Sequence, residues 1–269
     1  MQKVLTPGRK QTASNEAFQR LWDNIDKVVS RDHIESLVAD AVLTIRSKTA
    51  SKKTGYAWSG GKDSIALQVV CELSGIRSCV IGLSQALEYP HYLSWIHLNK
   101  PAGLVTWDAN IGYQWLLQNP HMVFPEDSKH LATWYSLIQH AAQKDFYKHA
   151  SLDIICLGRR HQDGNYTGSG GQNIYTDKYG ITRFSPIAHW KHEHVLAICH
   201  YYKNRNIPPI YNDPQGWING TGVWPVQTSN LGRKHSWELL YQISPETLLI
   251  AANYFNEAKS ILQSHGKAS

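Results

Sequence analysis

Gly55-Tyr56-Ala57-Trp58-Ser59-Gly60-Gly61-Lys62-Asp63-Ser64, followed by an apolar run from Ile65, decides how this chain is read. Gly55–Trp58 has the composition of a short strand. Ile65–Ser74 has the spacing of a helix that stops at Gly75. The turn between them holds two glycines. A glycine-rich turn from strand to helix aims successive backbone N–H groups at one spot, and the helix adds the positive end of its dipole. Gly60 and Gly61 let the backbone approach an anion with no Cβ in the way. Ser59 and Ser64 supply hydroxyl donors, and Lys62 supplies a point charge. Asp63 has three candidate tasks: to hold Mg²⁺, to hold the loop, or to orient Lys62. The turn reads as a phosphate cradle. The plain alternative is a tight turn with no ligand, and the combination of these residue types in this context weighs against it.

Two other phosphate cradles are excluded. A Walker A loop needs G-x-x-x-x-G-K-[ST]. Here Asp63 stands at the Ser/Thr position, and Tyr56 stands where the first glycine belongs. The dinucleotide fingerprint G-x-G-x-x-G is absent as well.

On the N-terminal side, residues 1–13 are polar and basic, with the composition of a loosely attached end. Phe18, Leu21, Trp22, Ile25, Val28 and Val29 then recur at helical spacing. A second helix is predicted from Asp32 and Glu35 as a capping pair, with Ile34, Leu37, Val38, Ala41, Val42 and Ile45 as its stripe. On the C-terminal side, strands are predicted at Arg77–Ser84, Leu104–Trp107 and Asp153–Leu157. Helices are predicted near His91–Asn99, Ile111–Gln118 and His130–His149. Strands alternating with helices imply a parallel sheet covered on both faces. Beyond a Gly-, Asn- and Arg-rich loop at 158–172, Ile174–Thr176 and Ile181–Phe184 flank a turn and read as a hairpin. His192–Lys203 reads as a helix, 211–233 as a loop, and 235–242 and 245–263 as closing helices. The expected organisation is an N-terminal helical segment at 1–50, a nucleotide-binding α/β core at 51–165, and a C-terminal hairpin, loop and helix region at 166–269 that completes the site.

Composition bounds the function classes. The chain has 269 residues, 42% hydrophobic and 18% charged, a profile that can bury a core. No apolar run reaches the ~18 residues of a membrane span, and no secretory signal pattern opens the chain. A cytoplasmic protein without membrane attachment is the expectation. The net charge of +6 favours an anionic ligand, nucleotide or nucleic acid. The four cysteines, Cys71, Cys79, Cys156 and Cys199, form no C-x-x-C pair, which speaks against a zinc site or a disulfide framework. Cys199 lies in the apolar run Val195–Cys199 and reads as an inert buried thiol.

Ser59–Ser64 resembles the PP-loop of the ATP pyrophosphatase superfamily, with its best fit in the phosphoadenosine phosphosulfate (PAPS) reductase-like branch. Further elements are similar to that branch in the same order: Glu88-Tyr89-Pro90; Leu157-Gly158-Arg159-Arg160; Ser185-Pro186-Ile187-Ala188-His189-Trp190; Ile207-Pro208-Pro209-Ile210-Tyr211; and Trp237-Glu238-Leu239-Leu240. The loop is specific, while the others are individually weak. Gly220–Pro225 looks most like phage and mobile-element members.

The resemblance implies an adenine nucleotide α-hydrolase-like fold: an α/β domain with a parallel sheet of about five strands, with helical additions at both ends. The nucleotide would sit at the C-terminal edge, as it does in open α/β sheets. It implies ATP or PAPS as ligand, with Mg²⁺. The binding set is Ser59, Gly60, Gly61, Lys62, Asp63, Ser64, Ser84, Gly158, Arg159 and Arg160, with Lys62, Asp63 and Arg159 as catalytic residues and Asp63 as the metal ligand. Arg159 and Arg160 would clamp phosphate or sulfate. The implied chemistry is adenylation of an acceptor with release of pyrophosphate; nucleic acid and a small molecule both remain open as acceptor. The alternatives are sulfonucleotide reduction with a partner's thiol, and a nucleotide-binding subunit of a larger assembly. A homo-oligomer or a partner protein is left open.

The chain departs from the reductases in having no cysteine after Cys199 and no Asp-Thr-Gly after the second strand, where Leu83-Ser84-Gln85-Ala86-Leu87 stands. His189, His192 and His194 present no clear ligand face and are expected to cap or to touch substrate. Asp163, Asp177 and Asp213 are expected to form turns or bind acceptor. Arg233-Lys234 reads either as a pair closing over phosphates or as a solvated basic pair.

Overall fold

The computed structural model describes residues 14–125, 127–221 and 233–266; the side chains of residues 128, 233 and 234 are outside the description. In chain order the helices and strands are α1 (Asn15–Asp23), α2 (Ile25–Val28), α3 (Arg31–Thr49), β1 (Thr54–Ala57), α4 (Lys62–Leu73), β2 (Cys79–Leu83), α5 (Pro90–Asn99), β3 (Leu104–Asp108), α6 (Tyr113–Gln118), α7 (Ser128–Tyr135), α8 (Ala141–His149), β4 (Ile154–Cys156), β5 (Ile174–Thr176), β6 (Thr182–Phe184), α9 (His192–Tyr201), α10 (Gly216–Asn219), α11 (Arg233–Ile243), α12 (Pro245–Ala251) and α13 (Asn256–Gly266). Among the described residues no helix is long and apolar enough to cross a membrane.

The sheet has six strands in the order β3-β2-β1-β4-β6-β5. β1 runs parallel to β2 and β4, and β4 parallel to β6. The sheet agrees with the expected parallel arrangement of about five strands and carries one antiparallel strand at its edge. The predicted hairpin forms, and β5 joins the sheet antiparallel to β6. The reason is the connection: the Asp177–Gly180 turn sends the chain straight back, whereas a parallel partner needs a long crossover. Asp177 accepts the amides of Tyr179 and Ile181 and the Arg183 Nε–H, so it forms the turn as expected.

The chain divides into two compact units, each assembled from separate segments. The first comprises residues 1–81, 100–105 and 143–208. Its centre is β1, where Tyr56 is paired with Cys79 on one side and Cys156 on the other. All three are buried, as strands covered on both faces require. Ser64–Cys71 of α4 and Val195–Cys199 of α9 are buried almost all round. These helices therefore carry apolar residues without a polar face.

The N-terminal helices belong to this unit. Ser14 caps α1 by accepting the Ala17 amide, and Phe18, Leu21 and Trp22 face inward. Ser30, rather than Asp32, caps α3 by accepting the His33 amide, while Glu35 pairs with Arg31. Both segments are tied to α9 and the turn after it. The Tyr201 hydroxyl donates to the Val29 carbonyl at 2.9 Å. Arg205 donates to the Trp22 carbonyl at 3.0 Å, and its guanidinium lies 4.2 Å from the Trp22 ring centroid.

The second unit comprises residues 82–99, 106–142 and 209–269. Its C-terminal part differs from the expected pair of closing helices, because the predicted 245–263 helix is two helices, α12 and α13, with buried Phe255 between them. The predicted helix at 130–149 starts at Ser128 and contains a π-helical turn at Ser136–His140.

Candidate functional site: the glycine-rich loop and a buried charge cluster

The loop follows β1 within the first unit. Gly60 adopts φ 68°, a conformation open to glycine and strained for most other residues. Gly61 is the N-cap of α4 and, having no side chain, makes no cap hydrogen bond of its own. The helix begins at Lys62, not at Ile65 as predicted, so Lys62, Asp63 and Ser64 form its first turn. The first-turn amides of a helix have no intrahelical acceptor and carry the positive end of its dipole.

The serines hold the loop's shape. The Ser59 amide donates to Ser64 Oγ at 3.0 Å, and the Ser64 hydroxyl donates to the Gly61 carbonyl at 2.9 Å. Ser59 Oγ lies 3.3 Å from Ser64 Oγ and accepts the Gly61 amide at 3.4 Å.

The loop meets the end of β4 at Gly158. A Cβ there would lie 3.1 Å from the Asp63 carbonyl oxygen and 3.5 Å from the Ser64 nitrogen. A bare backbone is what lets these two chain segments lie against each other.

Arg159 and Arg160 go to different places. Arg159 is half-buried, with Nη1 3.3 Å from the Tyr175 hydroxyl and 3.5 Å from the Tyr166 carbonyl. Burial lowers its pKa, an effect the Tyr175 hydroxyl opposes. Arg160 is fully buried. Its Nη1 donates to the Trp190 carbonyl at 3.2 Å. Its Nη2 donates to Asp163 Oδ1 at 2.8 Å and lies 3.1 Å from His192 Nδ1. The same Nη2 stands 2.8 Å from Asp63 Oδ1, an ion pair by distance that is not a directed hydrogen bond.

Lys62 Nζ donates to Asp63 Oδ2 at 2.8 Å. The cluster therefore sets two cations, Lys62 and Arg160, against two carboxylates, Asp63 and Asp163. Burial alone would raise the Asp63 carboxyl, but Arg160 and Lys62 beside it hold it well below the usual carboxylate range. Asp163 is raised, by burial and then by the charge of Asp63. His192 is pushed down to about 3, by burial first and then by Arg160 and Lys62. It is therefore neutral at pH 7, and its Nδ1 accepts the Arg160 N–H. Gln162 fixes the same residue from the backbone by accepting its amide at 2.6 Å.

Each Asp63 oxygen already faces a cation. The carboxylate orients Lys62 and holds the loop to Arg160, and it does not fit the part of a ready Mg²⁺ ligand. Among the described residues no group of three or more His, Cys, Asp or Glu is arranged to hold a metal ion.

Ser84 belongs to the second unit. Its buried hydroxyl donates to the Ile111 carbonyl. Nearby in the same unit, the Glu88 carboxyl is buried and accepts the Ser84 amide. Burial pushes Glu88 up to about 8. Glu88 Oε2 and the Tyr89 hydroxyl are buried with no hydrogen-bond partner among the described residues. His91 and Asp213 pair at 2.8 Å.

Several residues of the charge cluster were not assigned from the sequence. His192 carried a capping or substrate reading and instead supports Arg160. His194 does cap, accepting the Lys191 amide at 3.2 Å. Asp163 carried a turn or acceptor reading, and its Arg160 contact at a spacing of three residues was the available signal. Phe18, read only as part of a stripe, lies against both Lys62 and His192. Residues 222–225 of the Gly220–Pro225 stretch lie outside the described residues, as do residues 1–13 and the side chains of Arg233 and Lys234.

All four cysteines are buried and free. Cys199 is pushed up to about 12, by burial first and then by the charge of Asp63. The inert reading of this thiol agrees with its surroundings.

No family model matches the chain, and no curated protein matches it. Among solved structures, the chain is similar to a phosphoadenylyl-sulfate (PAPS) reductase from Candida auris in a phosphate complex, at 13% identity, covering 73% of this chain and 96% of that one, with a TM-score of 0.48. It is also similar to an FMN adenylyltransferase from Candida glabrata in complex with FMN and the ATP analogue AMPCPP, at 13% identity, covering 78% of this chain and 73% of that one, with a TM-score of 0.39.

Proposed function

We propose that the chain binds the phosphates of ATP at Ser59–Ser64 and transfers the adenylyl group to an acceptor, releasing pyrophosphate. The observation that carries this reading is the loop itself: Gly60 at positive φ, Gly61 at the N-cap of α4, and Lys62 in its first turn. An acceptor oxygen or nitrogen attacks the α-phosphorus. The bond from that phosphorus to the bridging oxygen breaks, pyrophosphate leaves with the electron pair, and the acceptor's proton passes to solvent. The amides of the α4 first turn and Lys62 stabilise the charge gathering on pyrophosphate. Arg159, half-buried, is the second cation assigned to phosphate. Arg160 acts one step back, holding Asp63 and through it Lys62. No step runs through Mg²⁺, because Asp63 is engaged by two cations.

Reduction of a sulfonucleotide by this chain alone has no support: its four thiols are buried and the reaction needs an accessible thiolate. The test is an assay of purified protein with ATP for AMP and pyrophosphate, with no acceptor, with DNA, with RNA, or with PAPS. Cleavage at the α–β bond, stimulated by one acceptor class, supports the proposal. Sulfite release from PAPS with an added thiol protein, or nucleotide binding with no product under any condition, contradicts it.

A further inference from the structure

The N-terminal helical segment has no part in the proposal above, yet it reaches the charge cluster. Phe18, on α1, is almost fully buried. Its ring centroid lies 5.8 Å from Lys62 Nζ. Its edge meets the His192 ring at 5.0 Å between centroids and 87° between planes. One aromatic side chain thus touches the cation of the phosphate loop and the histidine that accepts from Arg160.

Two physical effects follow. The ring's negative face attracts the ammonium, more strongly where water is displaced. The Lys62 side chain beside this ring is only 11% exposed, and low exposure raises the effective strength of its charge interactions. The helix that carries Phe18 is fixed independently, through Ser14 at its start and Arg205 on Trp22 at its end.

We propose that Phe18 is a positioning residue of the phosphate site, and that the N-terminal helices are part of that site. The ring sets the Lys62 ammonium against Asp63, where a triphosphate would meet it. This inference deepens the reading of Ser59–Ser64 as an ATP site and rests on it.

The experiment compares the full chain with Phe18→Leu, Phe18→Tyr, Lys62→Gln and the Phe18→Leu/Lys62→Gln double variant. ATP affinity is measured by titration calorimetry and folding by thermal denaturation. The acylation rate of Lys62 is read by mass spectrometry, without nucleotide. Leucine keeps an apolar cover and removes the ring; tyrosine restores the ring. Phe18→Leu is expected to weaken ATP binding by about 3- to 30-fold, to speed acylation of Lys62, and to keep a cooperative unfolding transition. Phe18→Tyr is expected to return both readouts toward wild type. In the Lys62→Gln background the Phe18→Leu penalty is expected to disappear, which a role in general stability would not produce. Wild-type affinity in Phe18→Leu, or an undiminished penalty in the Lys62→Gln background, overturns the proposal. If the wild-type chain binds no ATP, the phosphate reading itself fails. The acylation rates then decide on Phe18, and an unchanged Lys62 rate in Phe18→Leu overturns its role.

Discussion

Replacing Arg160 by methionine tests the charge cluster most severely. The guanidinium is fully buried and serves Asp63, Asp163, His192 and the Trp190 carbonyl. Methionine fills similar volume and removes the charge. What remains is one ammonium, Lys62, for two partly buried carboxylates whose side chains are 27% and 23% exposed. Removing one partner of a buried ion pair costs about 3–5 kcal/mol, because the other charge stays behind. Partial exposure of both carboxylates places the expectation at the lower end, about 3 kcal/mol. The pH dependence carries a sign of its own. Without Arg160, burial and mutual repulsion raise a carboxyl of the pair above its unfolded value. Such a group favours the folded state more as it is protonated. The variant should therefore gain stability relative to wild type as pH falls toward the ordinary carboxylate range. Urea unfolding of both proteins at several pH values measures this. Adding Asp63→Asn should recover part of the loss. A loss below about 1 kcal/mol, the size of an exposed ion pair, with no pH-dependent gap, would refute the account of the cluster.

Three further outcomes follow from the same geometry. His192 has a folded pKa of about 3 against an ordinary 6.5, so its contribution to stability is whole above 6.5 and falls as pH drops toward 3. His192→Gln should remove about 1.4 kcal/mol per pH unit of slope in that window, read by denaturation at stepped pH. Gly158→Ala places a Cβ 3.1 Å from the Asp63 carbonyl oxygen and should weaken ATP binding while reducing stability by about 1–3 kcal/mol, measured by calorimetry and urea melts. Glu88, raised from 4.5 to about 8 by burial, loses stability as pH rises between those values, because the unfolded chain releases its proton first. Glu88→Gln should flatten that fall, and an unchanged slope in its pH–stability curve would remove the buried acid as its source.

The strand-to-helix turn at Ser59–Ser64 was legible because its geometry is local. Ser59 and the glycines join one strand to the helix whose first turn holds Lys62 and Ser64, and the turn geometry needs no distant partner. The buried state of Cys199 was legible for a similar reason, from the apolar residues beside it. Arg159 and Arg160 were not separable in this way. They are neighbours of one residue type, and their difference is set by Asp63 and His192, which arrive from remote parts of the chain. Phe18 was visible only as one position of a helical stripe; its contact with Lys62 depends on how α1 lies against α4 and α9. Both hairpin strands were legible, but not the edge they occupy, because turn signals fix a hairpin's pairing and say nothing of which sheet edge it joins.

Ser59–Ser64 is proposed to bind nucleotide phosphates through Lys62 and the α4 N-terminus. Calorimetric titration of the wild-type chain and Lys62→Ala with ATP, AMP and adenosine tests this proposal most directly. The wild-type chain should bind ATP more tightly than AMP and adenosine weakest. Lys62→Ala should weaken ATP binding about tenfold or more, the size of one charge-assisted bond of about 1.5–3 kcal/mol, and leave adenosine unchanged. Equal affinity of both proteins for ATP, or equal affinity of the wild-type chain for ATP and adenosine, would contradict it.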